Sequence, residues 1–289
     1  MILVKIIGGL GNQLFQYSMG RNLALKRNAE LKLDISGFDA YQLRSYCLDR
    51  FNIVECIASP DEIKYFKKFE KKPGKINYLR NKFYADPDKY FTQRQFHFDP
   101  EVLNLPDNCY LDGYWQTEKY FKDIEDIIRK EITIKTSLEG KNLEVAQRIG
   151  TSNSVCIHVR RGDYVSDPRT NAWHGTCDPL YYTQAMEIIA SRVSKPQIFV
   201  FSDEIAWVKE NITFPYPTEY VDHNDDSKNY EDLRLMSTCK HFIIANSSFS
   251  WWGAWLATHQ HKIVIGPQKW FAGPKRNLSD LLPENWIRL

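Results

Sequence analysis

VCIHVRRGDYV (Val155–Val165) decides how the rest of the chain is read. Val155–Val159 is a short, nearly continuous apolar run, the pattern of a strand buried on both faces. It stops at two adjacent arginines. Neighbouring side chains on a strand point to opposite faces, so Arg160 and Arg161 serve one ligand only if the strand ends there. Gly162 is placed to end it. A cationic loop at the tip of a buried strand is an anion site: one guanidinium can meet a phosphate bidentately, and the other can pair with Asp163 or a second phosphate oxygen.

Working outward, the same half of the chain alternates strand and helix. A helix is expected from about Pro179 to Val193 and a strand over Gln197–Phe201. A further helix begins near Ser202, which is placed to cap it ahead of Asp203 and Glu204. Then come a strand over Glu219–Val221, a helix over Tyr230–Cys239, a strand over His241–Ala245, a helix from Ser248 and a strand over Lys262–Ile265. This alternation predicts a parallel sheet with helices on both faces. The N-terminal half opens the same way, with a strand over Ile2–Ile7, the turn GGLGNQ (Gly8–Gln13) and a helix patterned by Leu14, Tyr17, Leu23 and Leu25. Short strands are expected over residues 30–36 and 108–114, and an amphipathic helix over Asp123–Ile134. Residues 37–120 otherwise carry few clean periods; the Lys67, Lys68, Lys71 and Lys72 cluster reads as a solvated helix face. The polar stretch Gly150–Ser154 is the expected junction, giving domains 1–150 and 151–289.

Composition bounds the function. The chain has 289 residues and a net charge of +2, so no broad basic field suits nucleic acid or a membrane surface, and an anionic ligand must be met by a local cluster. The 16 Tyr, 16 Phe and 8 Trp suit stacking on sugars and bases, although most belong in the core. No apolar run approaches the ~20 residues of a membrane span. Six scattered cysteines without a CxxC pair, and no basic leader, point to reduced thiols and a cytoplasmic chain.

In parallel sheets ligands sit at the carboxyl ends of strands, where strand order switches. Three loops qualify. One is Arg160–Tyr164. The second, NSSFSWWGAW (Asn246–Trp255), opens a helix after a strand, so Asn246, Ser247 and Ser248 offer polar groups at its positive end; Ser248 is placed to cap it. The third, GGLGNQ, offers the amides of Asn12 and Gln13 to a hydroxyl-rich substrate. With Asp34 downstream, that turn also keeps a nicotinamide dehydrogenase as an alternative, although its spacing is not G-x-G-x-x-G. Asp86-Pro87-Asp88 and Asp225-Asp226 read as turns, and with arginines and a helix terminus at hand no metal is expected.

Four segments in order, GGLGNQLFQYSMGRNLA, HVRRGDYV, FSDEIAW (Phe201–Trp207) and YEDLRLMSTCKHFIIANSSFSWWGAWL (Tyr230–Leu256), make the sequence similar to the α1,2-fucosyltransferases of glycosyltransferase family 11. The resemblance implies an α/β protein of two Rossmann-like domains of GT-B type, with GDP-L-fucose as donor, a terminal β-galactoside as acceptor, and inversion without a metal. It implies an N-terminal domain on the acceptor side and a C-terminal domain that binds GDP-fucose. Arg160 would then hold the β-phosphate. His158 and Asp232 would face the ribose and guanine, Ser247, Ser248 and Phe249 would line the nucleotide pocket, and Asn12 would sit near the acceptor hydroxyl. Transfer also needs a proton acceptor; Asp163, Asp167 and His174, all on the loop after the arginines, are the candidates. A bacterial acceptor built on a lipid carrier, met at the inner membrane, follows as an expectation, as do a fucosyl linkage of another type and a non-catalytic nucleotide-binding protein as alternatives.

Overall fold

The structure is a computed structural model that describes residues 1–40 and 43–289. The chain divides into two compact α/β units, Met1–Lys135 with Asn277–Leu281, and Thr136–Arg276 with Leu282–Leu289.

The first unit runs β1 (Ile2–Lys5), α1 (Leu10–Lys26), β2 (Leu31–Asp34), α2 (Pro60–Lys67), α3 (Tyr78–Tyr84), β3 (Tyr90–Thr92), β4 (Cys109–Asp112) and α4 (Glu125–Glu131). Its four strands pair in parallel in the order β2-β1-β4-β3. Ile2, Leu3 and Val4 are fully buried at its centre. α1 lies against this sheet and is buried over most of its length, so even its polar side chains are committed inside. Gln16 accepts from the Ile7 N–H at 2.9 Å, and Asn22 donates to the Tyr120 carbonyl at 2.6 Å. Gly20 makes the approach possible: a Cβ there would stand 2.2 Å from Val4 Cγ2. The helix whose solvated face was expected at Lys67, Lys68, Lys71 and Lys72 lies earlier in the chain: α2 ends at Lys67, carries a capping box between Ser59 and Glu62 and buries Ile63 and Phe66. The expected helix over Asp123–Ile134 is shorter, with a 3₁₀ turn (Lys122–Ile124) preceding α4.

The second unit runs α5 (Gly140–Thr151), β5 (Asn153–Val159), α6 (Gly162–Ser166), α7 (Pro168–His174), α8 (Pro179–Ala190), β6 (Pro196–Ser202), α9 (Ile205–Asn211), β7 (Thr218–Val221), α10 (Asn229–Thr238), β8 (His241–Ile243), α11 (Ser248–Leu256), β9 (Val264–Gly266) and β10 (Ile287–Arg288). All six strands are parallel, in the order β10-β9-β8-β5-β6-β7. Val155, Ile157, Val159, Ile198, Val200, Ile243 and Ile265 pack with Tyr182, Met186 and Ile189 of α8 and Val208 of α9. α11 brings Trp251, Trp252 and Trp255, whose rings meet at 5.2–6.0 Å, and Trp251 reaches Trp286 at 5.6 Å. The junction expected at Gly150–Ser154 falls inside this unit, where it simply joins α5 to β5. Its polarity marks a tight helix-to-strand turn. The helix expected from Ser202 begins later, at Ile205, because the Ser202 hydroxyl accepts from the Glu204 N–H within the preceding turn.

All six cysteines are free thiols. Among the described residues no helix is long and apolar enough to cross a membrane.

Candidate functional site

In the second unit the chain steps outward from β5 to β6 and β7, then returns to place β8 on the other side of β5. The loops after β5 and β8 therefore leave the sheet at its switch point, where a parallel sheet opens a crevice. They are the arginine loop and the Asn246–Ser248 loop.

β5 ends at Val159 and α6 starts at Gly162, so the arginines occupy the break itself. Pairing of Val159 with Ser202 sets Arg160 beside Asp203. Arg160 Nη1 bonds Asp203 Oδ2 at 2.8 Å, and Nη2 bonds the Asp163 carboxylate. Its guanidinium also lies over the Tyr164 ring, at 5.3 Å. Burial works against its charge, but Asp203 and Asp163 more than offset this and hold its pKa above the ordinary value. Gly162 keeps the arrangement close: a Cβ there would meet Asp203 Oδ2 at 2.4 Å.

Arg161 has other partners. Its Nε bonds Glu204 at 2.9 Å, its Cζ lies 3.5 Å from the Trp207 ring centre, and its N–H donates to Asp203. In this arrangement its guanidinium rests on protein groups, as that of Arg160 does. Asp203, Glu204 and Trp207 were missed as site residues. All three lie in FSDEIAW, and a pair of acids leaving the strand next to an arginine-bearing strand was the available signal.

His158, on β5, is buried, lies 5.6 Å from the Phe249 ring, and has an Nδ1 without a hydrogen bond. Burial, aided by Arg160, pushes its pKa down to about 3, so the imidazole is neutral. After β8, Ser247 rather than Ser248 caps α11, its hydroxyl accepting from the Phe249 N–H. Asn246 is a staple. Its amide donates to the His174, Gly175 and Trp270 carbonyls at 3.0–3.2 Å and its oxygen accepts from the Cys177 thiol, so its side chain positions the loop.

Asp232, near the start of α10, accepts from Asn224 at 2.7 Å. Asn224 exchanges hydrogen bonds with Asn142, which also bonds His223. Burial, with Glu231 adding to it and Asn224 opposing it, raises Asp232 to about 7. The network brings together the end of β7, α5 and α10, and sequence reasoning found only Asp232 in it.

The proton-acceptor candidates separate. Asp167 caps α7, accepting from the Arg169 N–H and the Thr170 hydroxyl, and these bonds hold its pKa below the ordinary carboxylate range. His174 stacks on Tyr164 at 4.5 Å and faces Phe271 at 5.5 Å. Burial lowers its pKa, and its Nδ1 is buried without a hydrogen bond. Asp163 stays on Arg160.

In the first unit Asn12 lies in the opening turn of α1, where its oxygen accepts from Gln116 at 2.6 Å. Gln13 is not available to a substrate: it donates to the Gly8 and Ser45 carbonyls and accepts from the Cys47 N–H. Asp34, the acid a dinucleotide ribose would need, accepts instead from the Tyr110 hydroxyl at 2.6 Å and the Ser36 N–H. Asp86 closes its own turn through the Asp88 N–H.

The chain is 36% identical over 302 aligned positions to an α-1,2-colitosyltransferase of Escherichia coli, covering all of this chain and 99% of that one. It is 30% identical over 156 positions to human galactoside α-(1,2)-fucosyltransferase 1, covering 51% of this chain and 42% of that one. Its fold matches the NodZ α-1,6-fucosyltransferase of Bradyrhizobium, co-crystallised with GDP, with a TM-score of 0.52 at 14% identity over 88% of this chain and 91% of that one. With the family model for glycosyl transferase family 11 matching residues 1–289, over a fold of two parallel α/β units, the chain belongs to glycosyltransferase family 11.

Proposed function

We propose that the protein moves L-fucose from GDP-L-fucose to the 2-hydroxyl of a terminal β-galactoside, with inversion and without a metal. We extend this to a bacterial glycan carried on a lipid at the cytoplasmic face of the inner membrane. The observation that carries the reading is Arg160, a half-buried cation on the loop where β5 ends, at the switch point of the sheet.

The donor diphosphate takes Arg160, with the N-terminus of α11 as a second positive group. To do so it competes with the two carboxylates already there. Asp203 also accepts from the Arg161 N–H; in this reading Asp163, on the same loop as Arg160, is the partner that yields. As the acceptor oxygen bonds C1, the bond from C1 to the β-phosphate oxygen breaks and its electron pair leaves with GDP. Arg160 stabilises that growing charge, and the released Asp163 carboxylate takes the proton of the acceptor hydroxyl. His158, neutral and unpaired at Nδ1, serves the ribose, while Asp232 accepts from the guanine N1–H and N2–H. Asn12 orients the acceptor.

The direct test is release of GDP from GDP-fucose with lactose present, in buffer containing a chelator. Turnover is expected. Its absence across several β-galactosides would remove the enzymatic reading, and activity restored only by added magnesium would remove the metal-free one. The colitosyltransferase relative favours a second reading of the sugar. Colitose is fucose without its 3-hydroxyl, so competition between the two GDP-sugars decides the donor.

Guanine recognition has a pH signature. Asp232 titrates at about 7 in the free protein, and only its ionised form accepts from the base. GDP affinity should rise with pH through that value and fall by about tenfold for each unit below it. Calorimetry between pH 6 and 8 checks this, and Asp232→Asn should flatten the profile. An affinity that is level with pH in the native protein removes Asp232 from the base site.

A further inference from the structure

The positive charge of this chain is concentrated in one place. Residues 64–84, KYFKKFEKKPGKINYLRNKFY, contain seven lysines and one arginine against one glutamate, while the whole chain is only +2. The remainder is therefore net acidic. Among the described residues the five most exposed large hydrophobic side chains all lie here: Ile76 is 95% exposed, Phe83 73%, Tyr78 68%, Leu79 66% and Tyr84 60%. Ile76, Leu79 and Phe83 stand three and four residues apart across α3 and the turn before it, which places them on one face.

This segment is held in shape. Arg80 donates to the carbonyls of Lys67, Lys68 and Glu70 at 2.6–3.2 Å, closing the C-terminal end of α2. Asn81 makes a two-way bond with the backbone of Lys72, and the Asp86 N–H reaches the Phe69 carbonyl. Phe66, on α2, is fully buried among Leu3, Ile63, Tyr90 and Tyr110. The polar residues of α3 thus turn back onto α2, and the large apolar ones are left in water. Large apolar side chains gathered in water in this way mark an interface.

We infer that residues 64–84 dock the enzyme on an anionic lipid surface, with Ile76, Leu79 and Phe83 entering the headgroup layer and Lys64, Lys68, Lys71, Lys72 and Lys82 meeting its negative charge. Aromatic and aliphatic side chains among lysines are the composition of an interfacial anchor. A water-soluble protein partner would need acidic groups matched to each cation; a bilayer supplies diffuse negative charge beside an apolar layer, and the segment presents both complements side by side. The inference deepens the placement at a membrane face proposed above and does not depend on which sugar is moved.

The test is co-sedimentation of the full chain with vesicles of phosphatidylcholine alone or mixed with phosphatidylglycerol. Binding is expected to the mixed vesicles, weakened by salt, and little to the neutral ones. Ile76→Ser, Leu79→Ser and Phe83→Ser together should lower binding roughly tenfold or more. Lys71→Gln and Lys72→Gln should each lower it about fivefold. GDP release with lactose should stay at the native level in all of them, which reports folding and separates this result from the fucosyl-transfer reading. A triple variant that pellets like the native chain, or a native chain indifferent to phosphatidylglycerol, overturns the inference. So does a native dimer in solution that the triple variant turns into a monomer, which would assign the patch to a second copy.

Discussion

Arg160→Ala should lower turnover by roughly a hundredfold or more, the usual cost of losing one preorganised group that stabilises a developing charge. The lost cation is not replaced from nearby. Arg161 is held by Glu204 and Trp207, so it cannot swing across without breaking both. Arg160→Lys should also fall well short, because a point charge cannot bond two acceptors in the plane of a guanidinium. Asp163→Ala gives the contrasting result. Removing the internal anion should tighten GDP binding while turnover falls, since the variant lacks both the competitor and the proton acceptor. Initial rates and GDP titrations on the three variants decide the matter. Near-native turnover in Arg160→Ala would end the role assigned to it, and unchanged GDP affinity in Asp163→Ala would end the exchange of one anion for another.

The second large effect is on stability. Trp252→Ala should destabilise the second unit by about 3–5 kcal/mol, the range for emptying a large buried aromatic site. Trp252 is fully buried and its ring lies 5.2 Å from both Trp251 and Trp255. Collapse into the gap is hindered by Trp286, which packs against Trp251 from the C-terminal end of the chain. Denaturant unfolding followed by tryptophan fluorescence measures the loss. Because α11 begins at Ser247 and Ser248, GDP affinity should weaken before the unit melts. A loss under 1 kcal/mol would mean that the tryptophan cluster can repack.

Most of the second unit was legible because β5, β6, β8 and β9 are largely buried apolar runs followed by loops, and burial on both faces leaves no ambiguity of phase. The two-residue β10, with its exposed Arg288, gave no such signal. The first unit was less so. α2 and α3 sit in lysine-rich sequence whose charges mask a two-residue apolar face, and β3 is only three residues long. At the site, sequence identified the arginine loop but not the assignment of partners. Nothing local says that Arg160 turns to Asp203 and Arg161 to Glu204; that follows from the register of β5 against β6. Asn246 shows the same limit. An asparagine after a strand and before a helix reads as a ligand, whereas three carbonyls from distant segments claim it.

The pairing of Arg160 with two carboxylates bears on what else the cell could place in this crevice. Inorganic phosphate and free nucleotides are abundant in cells, and an open arginine would collect them. Here an incoming anion must first outcompete Asp163. Orthophosphate has only its charge to offer for that exchange. On the proposed reading a guanosine diphosphate brings a base to Asp232 and a ribose to His158 as well, and the sum of those contacts can draw the acid away. The resting ion pair thus acts as a threshold, silent to the common anions and opened by a ligand recognised at both ends.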